Sequence, residues 1–263
     1  MSGMTGRGRS SHRVSVRETR RACLLAAAWL VMSGGIALAG VAVELEAGAV
    51  TFSRNDTRIP GNTGSRFNML DLTGTGMSPY FRLYATYDFN ERHALRLTFA
   101  PLTVSGTGVF EEEVSFDGVA FAADTDTKGS YTFNTYRLTY RWLWHTSERW
   151  RSGVGMAVLI RDAQISLEQG GQRASTYDLG LVPLLHFYAA YLLNDNTSAI
   201  LDMEGAWAPQ GRAVDMALKV QRDFESGWHL STGYRTLEGG ADNDSTYTFA
   251  WLHYAFLQAG YTF

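Results

Sequence analysis

The chain has 263 residues, 45% of them hydrophobic, 13% aromatic and 19% charged, with a formal net charge of -3. Aromatics this frequent exclude a disordered chain, and the weak negative charge excludes the basic surface that nucleic acid requires. Beyond the N-terminal region no 20-residue apolar run occurs, so a bundle of membrane-spanning helices is excluded too.

Residues 1–39 read as a targeting segment. Arg7, Arg9, Arg13, Arg17, Arg20 and Arg21 stand against one acid, Glu18, and an apolar run from Ala22 to Met32 follows. Ser33-Gly34-Gly35 then breaks the helix before Ala37-Leu38-Ala39. Basic region, short apolar core and A-x-A site are the parts of a cleaved secretory signal, with cleavage after Ala39. An uncleaved anchor over Ala22–Val43 is the alternative, and the two glycines speak against it. Thr19-Arg20-Arg21 faintly resembles a twin-arginine signal, but a barrel bound for a membrane should cross unfolded by the general route. Removing 6 of the 23 basic and 1 of the 26 acidic side chains leaves residues 40–263 with net charge -8. Cys23, the only cysteine, goes with the segment, and Arg21-Ala22 before it is no lipobox. The exported part, one domain over 40–263, therefore uses neither disulfides nor thiolate ligands.

From Val41 onward the apolar period is two, the signature of strands. Ten are predicted, at 41–52, 79–90, 93–105, 130–145, 149–168, 176–193, 198–208, 212–224, 228–238 and 246–263. Phe81, Leu83, Ala85 and Tyr87 alternate with Arg82, Tyr84 and Thr86; Tyr136, Leu138, Tyr140 and Trp142 alternate with Arg137, Thr139 and Arg141. Leu179, Leu181, Leu185 and Phe187 share a face opposite Asp178, His186 and Tyr188. Connections alternate between short ones, such as Asn90–Arg92 and Asn194–Thr197, and generally longer ones, such as Ser53–Pro79 and Gly106–Gly129. Pro101 and Pro183 fall inside predicted strands, where each removes a ladder donor and calls for a bulge. Asp117-Gly118, between Val114-Ser115-Phe116 and Val119-Ala120-Phe121, predicts a small external hairpin.

A soluble sandwich also alternates. Aromatics at the strand ends favour a membrane barrel: Tyr87, Phe89, Trp142, Trp144, Trp150, Tyr191, Phe224 and Trp228 flank the short turns, and Tyr80, Trp207, Tyr247, Phe249 and Trp251 the long loops. Two girdles suit a lipid-facing wall. The expected fold is all-β, a transmembrane antiparallel up-and-down β-barrel, and an even strand number puts both termini on the periplasmic side.

The C-terminal run Leu257-Gln258-Ala259-Gly260-Tyr261-Thr262-Phe263 resembles the last strand of bacterial outer-membrane proteins. That resemblance implies that Tyr261 and Phe263 form a signal read by the barrel-assembly machinery. Phe81–Tyr87, Tyr136–Arg141, Ile160–Ala163, Gly233–Asp242 and Ala250–Tyr254 resemble a group of small Gram-negative outer-membrane β-barrel proteins that carry no assigned activity. It implies the bacterial outer membrane as location, with lipid and lipopolysaccharide as partners, and supplies no catalytic site.

The inward face is charged: Glu44, Glu46, Arg82, Asp88, Arg96, Arg137, Arg141, His186, Asp202, Glu204, Asp215, Lys219 and Arg235, with either Arg161 or Asp162. Ten strands enclose a lumen that side chains fill, so a salt-bridged plug is expected and the function is structural or interactive at the surface. The alternative is a narrow conduit or ligand-binding barrel lined by arginines and leaning towards anions. Enzyme readings rest on resemblance alone. Ten-stranded outer-membrane proteases carry Asp-x-His, which does not occur here. Barrel lipid A deacylases carry His-x-Ser on a late strand; His253-Tyr254-Ala255 keeps the histidine but has Ala255 where the serine would be, so His-x-Ser is expected to be absent and that chemistry is not expected. Six scattered histidines with no i, i+2 or i, i+4 pair predict no metal site, and no cofactor is expected.

Overall fold

The computed structural model describes residues 40–263; the predicted signal segment, 1–39, lies outside the described residues. The elements are β1 (Val41–Arg58), β2 (Phe67–Asn68), α1 (Leu70–Thr73), β3 (Ser78–Asn90), β4 (His93–Ala100), β5 (Thr103–Gly108), β6 (Val114–Phe116), β7 (Val119–Phe121), β8 (Thr127–Thr146), β9 (Trp150–Gln169), β10 (Gln172–Asn194), β11 (Thr197–Ala208), β12 (Gly211–Asp223), β13 (Trp228–Asp242) and β14 (Tyr247–Thr262). Every ladder is antiparallel, and β14 returns to pair with β1 from Ala42↔Thr262 to Arg58↔Tyr247. Closure joins the first and last strands, whose free edges an apolar solvent could not hydrogen-bond. Both ends of the described chain meet at one rim, where the Phe263 amide donates to the Val41 carbonyl at 2.9 Å.

Ten strands build the wall, because β4 and β5 are two pieces of one: both pair with β8, at Thr135–Trp142 and Thr127–Thr132 respectively. The predicted strand 93–105 is thus interrupted rather than bulged. Pro101 has no N–H for the ladder. Across the break the Phe133 amide donates to the Leu102 carbonyl at 2.8 Å, and the Leu102 amide to Asn134 Oδ1 at 3.3 Å. Two predicted loops shrink as well. β1 runs on to Arg58 rather than stopping at residue 52, and 169–175 is a tight hairpin in which Gln169 faces Gln172 around two positive-φ glycines, Gly170 and Gly171.

The wall is uneven in height. β9 and β10 pair without a break from Trp150↔Tyr191 to Gln169↔Gln172, whereas the β11–β12 ladder ends at Ala208↔Gly211. Pairing between β10 and β11 stops lower still, at Leu185↔Gly205. Above that pair the inner edge of β10 has no neighbour on the β11 side. Pro183 lies in this stretch, paired only with Val158 of β9, so its missing donor leaves no ladder bond unmade on the open side.

At the rim opposite the termini the two long connections fold into an apolar cap. Phe67 meets Phe110 and Phe116 edge to face at 5.3 and 5.8 Å, over Met69 and Leu72. The cap joins inward apolar residues of the wall, among them Val50, Phe52, Ile165 and Leu252, in one cluster. Helix α1 approaches β5 so closely that a Cβ on Gly106 would lie 2.4 Å from the Leu72 carbonyl oxygen. The hairpin at Asp117-Gly118 forms as β6 and β7, with φ of 50° and 78° at the two turn residues, the positive values a two-residue hairpin requires.

Candidate functional site

Alternation sends one residue in two of each strand to each face, and the two faces are chemical opposites. Outward stand Leu45, Leu83, Leu138, Val158, Ile160, Leu181 and Leu218, all exposed, with Phe89, Trp142, Trp144, Trp150 and Trp228 towards the terminal rim and Trp207 and Trp251 towards the capped one. One aromatic departs from this pattern. Tyr80, expected in the girdle, is buried in the lumen against Tyr254, ring centroids 4.6 Å apart.

Inward, a belt of ion pairs crosses the barrel. Asp215 of β12 accepts from three arginines of three other strands: Arg82 at 3.0 Å, Arg137 at 3.0 Å and Arg235 at 2.6 Å. Glu46 accepts from the Tyr80 and Tyr84 hydroxyls and from Arg235, each at 2.9 Å. Glu204 accepts from Arg137, from Thr139 Oγ1 at 2.6 Å and from Arg96 at 3.3 Å, and Arg96 also donates to Asp202. Four carboxylates meet four guanidinium groups, so the belt is electroneutral, and hydrogen bonds occupy the oxygens as buried charge demands.

Below the belt, towards the terminal rim, Glu44 accepts from Gln258 at 2.8 Å and lies 3.1 Å from His229 Nε2 and 3.8 Å from Lys219 Nζ. Arg141 stands apart from both groups. Its nearest acid is the half-exposed Asp88 at 3.9 Å, and its guanidinium lies 4.4 Å from the Tyr188 ring centroid. The shared face of Arg137 and Arg141 suggests two equally buried ion pairs; only Arg137 makes them. Arg141→Ala is therefore expected to destabilise the barrel by about 1–2 kcal/mol, the sum of a weak ion pair and a cation–π contact, rather than the ~3–5 kcal/mol of a broken buried pair. Urea unfolding followed by heat-modifiable electrophoretic mobility measures the difference. At the Arg161-Asp162 step, Arg161 turns inward to Asp178, while Asp162 accepts from Asn134 Nδ2 at 3.1 Å.

His186, Asp202 and Glu204 offer ligand atoms within 4.8 Å of one another. His186 Nδ1, buried and without a hydrogen-bond partner, lies 3.7 Å from Asp202 and 3.6 Å from Glu204. Both carboxylates already accept from arginine, so the trio fits an internal network better than a cation site. The His-x-Ser spacing does occur, at His145-Thr146-Ser147 and His229-Leu230-Ser231, which corrects its expected absence. Neither pair is a working one. His229 Nε2 faces Glu44 while Ser231 Oγ donates to Gln221 at 3.3 Å, and Ser147 bonds locally to Trp150 in a short turn. Period two could place Thr139, His229, Ser231 and Gln258 in the lumen, but uncharged side chains carry no signal that singles them out.

Above the belt the lumen opens into a cavity of about 600 Å³. Small inward residues on β11, β12 and the end of β13 leave room for it: Ala206, Ala208, Gly211, Ala213, Gly239 and Ala241. Larger apolar residues such as Leu159, Val182, Leu184 and Leu237 also line it, together with polar Arg161, Thr176 and Asp178, and Arg137, Glu204 and Asp215 make its floor.

An aromatic-girdled apolar outside around an ion-paired inside defines an integral membrane β-barrel. Solved structures with this type of barrel are similar to the chain at low identity. The attachment invasion locus protein Ail of Yersinia pestis is 10% identical, with 83% of this chain and 98% of that one covered and a TM-score of 0.39. The outer-membrane protease OmpT of Escherichia coli is 9% identical, with 85% and 96% covered and a TM-score of 0.48. The translocator domain of the autotransporter NalP of Neisseria meningitidis is 14% identical, with 94% and 97% covered and a TM-score of 0.42. No family model and no curated protein sequence matches the chain.

Proposed function

We propose that this chain is an integral β-barrel of the bacterial outer membrane whose lumen is closed to solutes, and that it acts through its capped, outer end as a structural or surface-interaction protein rather than as an enzyme. The observation that carries the closed lumen is Asp215, reached from across the barrel by Arg82, Arg137 and Arg235 at once. A conduit for anions needs arginines free to receive them, and each belt arginine is already bound to a carboxylate. Lipid and lipopolysaccharide face the apolar wall in this reading, and Tyr261 and Phe263 address the chain to the assembly machinery. Supporting the location are the two aromatic girdles and the even strand number. Planar-bilayer recording of the refolded 40–263 chain tests the closure. No current steps above the lipid baseline are expected; reproducible ohmic steps would replace the plug with a pore.

A further inference from the structure

The cavity above the belt is lined by both faces of the same strands. On β10 it touches inward Val182 and Leu184 and also outward Leu181 and Pro183. On β11 it touches inward Ala206 and Ala208 and also outward Trp207. Residues of both strands beside the place where β10–β11 pairing ends at Leu185↔Gly205 line this one space, so it reaches the unpaired strand edges there. We propose that this notch is a side door, through which the apolar chain of a membrane amphiphile passes from the surrounding lipid into the cavity.

Three observations select an acyl or alkyl chain as the occupant. The outer flank of the notch is apolar and bare: Leu181 and Leu185 are each 71% exposed and Trp207 is 83% exposed. These residues stand at lipid depth, because Leu181 lies in a cross-strand row with Ile160, Tyr136, Phe99 and Leu83, the apolar outer wall. Inside, small and aliphatic residues make most of the wall beside the notch, with Arg161, Thr176 and Asp178 on the β9–β10 side, and the volume falls within the roughly 300–1,000 Å³ of ligand sites. The third is the floor. The belt offers no unpaired charge, so a polar solute gains nothing there that water does not give, whereas a methylene chain leaves water and keeps its apolar surroundings. A headgroup remains at the mouth, level with Trp207 and with Arg212, whose guanidinium lies 5.9 Å from the Trp207 ring centroid.

The assignment rests on the closed lumen only for that floor, and its test has a separate readout. The 40–263 chain is refolded into phosphatidylcholine vesicles containing palmitic acid with a diazirine on its chain, irradiated, and mapped by peptide mass spectrometry. Inward residues Leu159, Ala206 and Leu237 are expected to carry label at least tenfold above inward positions below the belt, such as Ile200. Label confined to outward residues such as Ile160, Leu181 and Leu185 would overturn the side door. In Ala206→Phe, which narrows the notch, inward label is expected to fall at least tenfold while outward label is unchanged; undiminished inward label would show entry by another route and also overturn it. Should this variant not refold, the map of the unaltered protein decides. The label map is independent of bilayer current, so a conducting lumen and an unlabelled cavity are distinct failures.

Discussion

Asp215→Ala is expected to lower the stability of the folded barrel by at least ~3–5 kcal/mol, the range for removing one partner of a buried ion pair. The lower bound applies because the change strands more than one charge. Arg82 loses its 3.0 Å acceptor and is left with Glu46 at 3.8 Å; of its carboxylates Arg137 keeps only Glu204, and Arg235 only Glu46. The belt then holds four guanidinium groups against three carboxylates in a space where solvation is poor. Removing Asp178, the exposed partner of Arg161, should change stability by less than ~1 kcal/mol, since water screens that pair. Urea titration in vesicles, scored by heat-modifiable mobility, reads both. If the two substitutions prove equally mild, the lumen is hydrated and the belt closes nothing. Asp215→Ala with Arg137→Ala should show a coupling of about 0.5–3 kcal/mol, because each removes the other's partner.

Leu138→Arg is expected to destabilise the barrel by ~2–4 kcal/mol for an unrelated reason. Leu138 points outward between Leu97 and Val158, its neighbours on the flanking strands. It stands four residues, about 13 Å along the strand, above Trp142 of the girdle. A guanidinium there meets hydrocarbon, and the penalty fades towards the interface. Trp142→Arg should accordingly fall to ~0–1 kcal/mol. Two equal penalties would mean that the apolar band is not at lipid depth. The neighbouring Thr139 faces Glu204 inside, so an outward Arg at 138 and an inward change at 139 probe opposite sides of one strand through two different mechanisms.

Much of this architecture can be read locally. A strand's side chains alternate whatever its neighbours do, so the facing of Arg82, Arg96, Arg137, Asp202, Glu204, Asp215 and Arg235 follows from period two alone. Short turns such as Asn90–Arg92 declare themselves by composition. Asn90 Oδ1 accepts the Arg92 and His93 amides at 2.9 and 3.1 Å, a bond pattern written into one residue type. The Asp117-Gly118 hairpin is of the same kind. Proline at 101 and 183 announced trouble in both strands without saying which form it would take.

What remained beyond the sequence is whatever depends on the stagger of one strand against another. Arg82 and Asp215 are 133 residues apart, and Arg96 and Asp202 are 106 apart. Which acid meets which arginine is decided by strand tilt and register on closure, and no local pattern records them. Alternation already sets Tyr80 on the inward face of Arg82; the same register brings it onto Glu46, and leaves Arg141 outside the belt although it shares a face with Arg137. At 101 the partner strand β8 has Asn134 and Phe133 to fill the break. At 183 the missing donor falls on the side where pairing with β11 has already ended. Alternation and turn chemistry thus determined a barrel with charges inside and hydrocarbon outside, because both act within a few residues. Only the closed tertiary structure decided that those charges join in one neutral belt and that the wall is open beside Pro183, because both depend on contacts between strands brought together by closure.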